Sequence, residues 1–155
     1  MNNQRRDTLK AGGSLGMLGL LAAVGLIKPE TAQAAWNKAA FDAKDMDAAF
    51  AAVGAGKPAE SADISITAPD IAENGAVVPV GVVSKLPKTE YIAIMIEKNP
   101  AMLAASFTLP EGTAADVQTR VKMGQTSNVF AVVKADGKFY MTKKEVKVTL
   151  GGCGG

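Results

Sequence analysis

The chain contains a single cysteine, Cys153, within Gly151-Gly152-Cys153-Gly154-Gly155. A thiolate is a nucleophile, and it can carry another sulfur group covalently. The setting decides what the thiol can be used for. Glycine has no Cβ, so the tail has no preferred backbone conformation and nothing to pack with. Such a chain end is mobile unless something ties it down. Fully extended, Cys153 stands roughly 10 Å beyond Leu150. That geometry suits a group that enters the pockets of other proteins, not a nucleophile held by its neighbours. No cationic residue adjoins it, and the chain-end carboxylate two residues away disfavours the thiolate. Activation must come from a partner's active site. The residues therefore point to a carrier, acted on by enzymes, and not to an enzyme.

What the chain lacks narrows the classes further. There is no histidine. Ser-His and Cys-His nucleophile pairs, histidine-ligated metals and histidine-ligated haem are thereby excluded. One cysteine cannot make an internal disulfide or a cysteine-rich metal site, and no bound cofactor is expected. A lone cysteine in an exported protein implies intermolecular pairing or a reactive thiol.

Export is expected from the other end. Arg5-Arg6 is followed by Asp7-Thr8-Leu9-Lys10, then by a glycine-spaced apolar run from Ala11 to Ile27. Lys28-Pro29 closes the run, and Ala32-Gln33-Ala34 places small residues where a signal peptidase reads. The paired arginines with Leu9-Lys10 resemble a twin-arginine signal, with Thr8 where that pattern more often has Phe. The run is shorter than the ~20 residues that span a bilayer. Residues 1–34 are thus read as a signal peptide, delivering the protein to the periplasm with no membrane attachment after cleavage. Removing 34 of the 155 residues leaves 121, enough for one core. The signal takes four of the 17 basic and two of the 15 acidic residues, so the remainder is balanced at 13 each. There is no basic surplus for nucleic acid.

The elements that must position the thiol follow in order. Residues 35–58 read as a helical segment, with Met46, Ala49, Phe50 and Val53 on one face and Gly54, Gly56 and Pro58 ending it. Ile64 and Ile66 then alternate with Ser65 and Thr67 as a half-buried strand. Glu73-Asn74-Gly75 is a turn. Val77 to Val83 is a strand whose Pro79 confines it to an edge or a bulge. Tyr91 to Ile96 is the most apolar strand and is expected at the centre. Ser106 to Leu109 is short and stops at Pro110. Val117, Thr119 and Val121 share one face of the next strand. Asn128 to Lys134 leads into Asp136-Gly137, a two-residue hairpin signal. Lys138 to Leu150 is the last strand, with Val146, Val148 and Leu150 facing inward. The methionines Met95, Met102, Met123 and Met141 suit an adaptable interface but are more often core.

About seven short strands between turn signals, with no βαβ alternation, predict an all-β fold. The expected architecture is an immunoglobulin-like antiparallel β-sandwich over residues 59–150. It carries an N-terminal helix and a flexible C-terminal glycine-cysteine arm, 151–155. From the residues alone, two readings stay open. One is a covalent carrier. The other is an exported structural or binding β-domain that dimerises through a terminal disulfide. A prenylation site fits poorly, because the cysteine is third from the end. Small ubiquitin-like sulfur carriers also end in Gly-Gly, but they lack an export signal.

The twin-arginine-type signal at Arg5-Arg6, the small strand-rich domain and the terminal Gly-Gly-Cys-Gly-Gly together resemble the SoxY family. That family is the sulfur-carrier subunit of the Sox thiosulfate-oxidising system. The tail matches its motif residue for residue from Gly151 to Gly155. The resemblance implies that Cys153 holds the sulfur intermediates, with Gly151, Gly152, Gly154 and Gly155 giving the arm its freedom. It also implies a SoxZ-like subunit as heterodimer partner. A c-type cytochrome (SoxAX-like) would load the thiol, a hydrolase (SoxB-like) would release sulfate, and a sulfane dehydrogenase (SoxCD-like) would oxidise the remaining sulfur. The haem and metal centres would belong to those partners.

Overall fold

The structure, a computed structural model, describes residues 37–149. The expected signal peptide 1–34, with Arg5 and Arg6, lies outside the described residues. So do Leu150 and the expected arm, with Cys153 and its four glycines.

The helical stretch is broken in two, α1 (Lys38–Asp42) and α2 (Met46–Ala52). Asp45 makes the break. Its backbone is extended, and its side-chain oxygen accepts from Ala48 N at 2.7 Å, an N-cap for α2. Asn37 caps α1 by accepting from Ala40 N. Its amide also donates to Ala52 O at 2.7 Å, tying the two helices together. Gly54, at φ 80°, ends α2. The buried face of α2 is Ala49 and Phe50, with Met46 and Val53 half-buried beside them.

Nine strands follow: β1 (Ala59–Glu60), β2 (Ile64–Thr67), β3 (Ile71–Ala72), β4 (Val78–Ser84), β5 (Thr89–Ile96), β6 (Leu103–Thr108), β7 (Asp116–Val121), β8 (Ser127–Ala135) and β9 (Lys138–Val148). They form two sheets. The larger runs β1-β9-β8-β5-β6, and the smaller β2-β4-β7. All long pairings are antiparallel. The two-residue strands β1 and β3 pair with β9 in parallel, at opposite ends of its outer edge.

Alternation sorts the side chains into two cores. Ile92, Ile94 and Ile96 of β5 and Val129, Ala131 and Val133 of β8 meet Ile64, Val78, Val80, Val82 and Val121 of the small sheet. Ala93, Met95, Phe130 and Val132 point the other way and are covered by the helices, with Phe50 edge-on to Phe130 at 6.0 Å between ring centroids. β5 and β8 are therefore buried on both faces, which explains their nearly continuous apolar sequence. Met95, Met102 and Met123 are core residues, and Met141 is half-buried.

Pro79 lies in β4, the middle strand of the small sheet, not in an edge strand. The register removes the conflict. β2 reaches only as far as Thr67 opposite Gly81, so at Pro79 the strand has a partner on the β7 side alone, Arg120. The strand is central as a whole and an edge at its proline. The hairpin at Asp136-Gly137 forms as read, both residues at positive φ (50° and 74°), joining β8 to β9.

Candidate functional site

The described residues end at Thr149, just past β9, so the structure builds the strand that precedes the expected arm and not Cys153 itself. Val146 is fully buried between the sheets, and Val148 packs against the same core. Lys147 alternates with them and is exposed. This alternation carries the strand to its end with one face anchored.

Backbone bonds hold the last three residues. Lys147 N donates to Asp70 O at 2.9 Å, and Thr149 N to Ala72 O at 3.1 Å. These are the parallel ladder with β3, in which Ile71 sits opposite Lys147 and Ala72 opposite Val148. On the other side Val148 N donates to Thr126 Oγ1 at 3.0 Å. Strand β9 is thus held on both sides up to the point where the arm begins.

The loops around this end are bonded to one another. Asn99 links two of them, its amide donating to Lys122 O at 2.6 Å and its oxygen accepting from Gly124 N. Ser127, nearly fully buried, accepts from Lys98 N and donates to Asn128 O. Met123 N donates to Gly75 O at 2.7 Å. A Cβ on Gly75 would stand 2.3 Å from Met123 O, so this close approach requires glycine. Lys144 reaches from β9 to Asp70 at 3.0 Å and to Ala68 O at 2.6 Å, pinning the segment before β3. Buried side-chain polar atoms among the described residues all have partners.

Cys153 is four residue steps beyond Thr149, at most roughly 13 Å of extended chain. A cavity of about 860 Å³ lies near Ser84, Leu86, Thr89, Leu109 and the Asp136-Gly137 hairpin. It sits at the far end of the 11-residue β9 from the root, about 40 Å along the chain at strand rise. It is outside the reach of the arm on the same molecule. Among the described residues no cluster of His, Cys, Asp or Glu could hold a metal, and no helix is long and apolar enough to cross a membrane.

The inward-facing Val146 and Val148 anchor the last strand as expected, but β9 ends at Val148 and Leu150 lies outside the described residues. The sequence reading missed Asp70, Ala72 and Thr126, which fix the strand's end. Gly75 was expected only as a turn residue, and the bridging role of Asn99 leaves no local signal in the sequence. A two-residue parallel strand such as β3 leaves no periodic signal in sequence.

The SoxY sulfur oxidation protein model matches residues 50–153, which include Cys153. The sulfur carrier protein SoxY from Chlorobium limicola f thiosulfatophilum has a similar structure, with TM-score 0.62 and 40% identity. The match covers 73% of this chain and 99% of that one. The superoxide reductase (neelaredoxin) of Ignicoccus hospitalis is 16% identical with TM-score 0.50, over 56% of this chain and 80% of its own, a likeness of fold alone. A comparison with proteins of curated function gave no match. With a family model spanning most of the described domain and a solved relative at 40% identity, the chain belongs to the SoxY family of sulfur oxidation proteins.

Proposed function

We propose that the protein is a covalent sulfur carrier in thiosulfate oxidation and that Cys153 holds the sulfur. Membership of the SoxY family gives the chain a role in sulfur oxidation. The observation that carries the finer reading is the pairing of Gly-Gly-Cys-Gly-Gly with a strand end bonded on both sides up to Thr149. A strand end held on both sides, followed by a cysteine set among glycines, supports the reading of a visiting substrate.

The chemistry runs on the thiol. Thiosulfate and the Cys153 thiol join through a new S–S bond, losing one proton and two electrons to a c-type cytochrome partner (SoxAX-like). Water then cleaves the terminal S–SO₃ bond in a hydrolase (SoxB-like), giving sulfate and two protons and leaving a Cys153 persulfide anion. A sulfane dehydrogenase (SoxCD-like) oxidises that sulfur further. This chain supplies the thiol, its reach and its entry into each site, and it is not itself the enzyme. The family implies partners within the Sox system. The heterodimer with a SoxZ-like subunit, the signal peptide at 1–34 with Arg5 and Arg6, and residence in the periplasm belong to the same proposal.

The test is Cys153→Ser. The variant should fold and pair with its partner subunit while thiosulfate oxidation in the reconstituted system falls to background. Thiosulfate oxidation at the wild-type rate would refute the carrier role.

A further inference from the structure

Among the described residues two large apolar side chains are strongly exposed, Ile71 at 57% and Val77 at 50%. Single exposed apolar residues are ordinary on protein surfaces. These two share one short segment, and that segment wraps the root of the arm. Ile71 stands opposite Lys147 in the ladder, and the carbonyl of its neighbour Ala72 accepts from Thr149. Ala72 is buried in the core between the sheets, so Ile71, the next residue along the strand, faces away from it. Val77 closes the turn that begins at Asn74, through Val77 N to Asn74 O, and Gly75 of that turn lies against Val148 and Met123. The exposed Ala76 lies between them in the turn.

The length of chain beyond Thr149 says what must cover these residues. Four residue steps of chain, at most roughly 13 Å when extended, join Cys153 to Thr149. An enzyme whose active site admits that thiol must bring the mouth of its channel within this distance of Thr149. Its surface then lies over the segment that borders the end of β9, in which Ile71 adjoins the Ala72 that bonds Thr149 and Val77 closes the turn whose Gly75 lies against Val148. We infer that Ile71 and Val77 form an apolar docking rim for the haem oxidoreductase that loads Cys153, which presents an uncharged, apolar collar around its channel mouth. The inference rests on the carrier reading and extends it from the thiol to the body of the domain. Docking of the body shortens the search of the tethered thiol, so the rim acts on encounter and not on chemistry.

The experiment uses the full chain with its partner subunit and the double variant Ile71→Ser, Val77→Ser. Loading of Cys153 by the haem oxidoreductase that joins it to thiosulfate is measured as kcat and KM. The rate of the same thiol with a small disulfide reagent and the melting temperature are recorded beside it. KM should rise at least about fivefold, with kcat, the reagent rate and the melting temperature near wild type. An unchanged KM in the folded variant overturns the rim. Loss of a homodimer with unchanged loading also overturns it and assigns the surface to a second copy of the chain. A parallel Cys153→Ser sample that still accepts sulfur would overturn the carrier reading itself, an outcome distinct from either.

Discussion

Gly75 lies so close to Met123 that a Cβ on it would stand 2.3 Å from the Met123 carbonyl oxygen and 2.9 Å from Val148 Cγ1. The same two residues are joined by the bond from Met123 N to Gly75 O at 2.7 Å. This contact brings together three parts of the root: the turn after β3, the chain after β7 and the end of β9. Gly75→Ala cannot be absorbed by a side-chain rotation, because the obstacle is backbone. It should lower unfolding free energy by roughly 1–3 kcal/mol, read from denaturant midpoints. A variant as stable as wild type would show that the turn gives way freely and that the root is not fixed.

Thr126 supplies the acceptor for Val148 N. Thr126→Val keeps the shape and removes the oxygen, leaving a half-buried N–H without its partner. The cost should be about 1–2 kcal/mol. Hydrogen exchange at the Val148 amide should accelerate beyond what the global loss accounts for. Unaltered protection at Val148 would mean that the ladder with β3 alone holds the strand end.

Burial pushes the Tyr91 hydroxyl above its ordinary pKa of 10.0, and a hydrogen bond with Ser106 works in the opposite direction. The folded state therefore holds this proton more tightly than the unfolded chain does. The contribution is intact below pH 10 and is lost as pH rises through the folded-state pKa. As pH rises above 10, urea midpoints should fall more steeply for wild type than for Tyr91→Phe. Parallel pH profiles would contradict the assignment.

The glycines beside Cys153 are predicted to serve entry into partner sites. Gly152→Val and Gly154→Val add β-branched bulk and restrict the backbone on either side of the thiol. Loading of Cys153 should slow severalfold, while the melting temperature stays at the wild-type value. Equal loading rates would show that the glycines only end the strand.

The sandwich was legible where period and turn chemistry act locally. Val117, Thr119 and Val121 do line one face of β7, and Asp136-Gly137 makes the hairpin. The apolar run from Tyr91 to Ile96 lies inside its sheet, between β8 and the edge strand β6, while β8 takes the middle place. Other features depend on partners distant in sequence. Two-residue β1 and β3 are defined only by pairing with β9. Strand β6 begins at Leu103 and not at Ser106, because Ala104 and Ala105 carry no β-branched signal and are placed by pairing with β5. The single helical stretch divides at Asp45, whose capping outweighs the apolar spacing. At the site, the thiol and its glycines could be read from the tail alone. The bonds from Asp70, Ala72 and Thr126 that root the arm could not, since they cross from 22 residues away to more than 70 in sequence.

The intact mass of the protein from thiosulfate-exposed cells, with and without reductant, tests the central claim most directly. The account predicts reductant-labile additions of sulfur or thiosulfate confined to the peptide containing Cys153, on a chain that begins at Ala35. A bare thiol, or a disulfide between two copies as the sole modification, would contradict it.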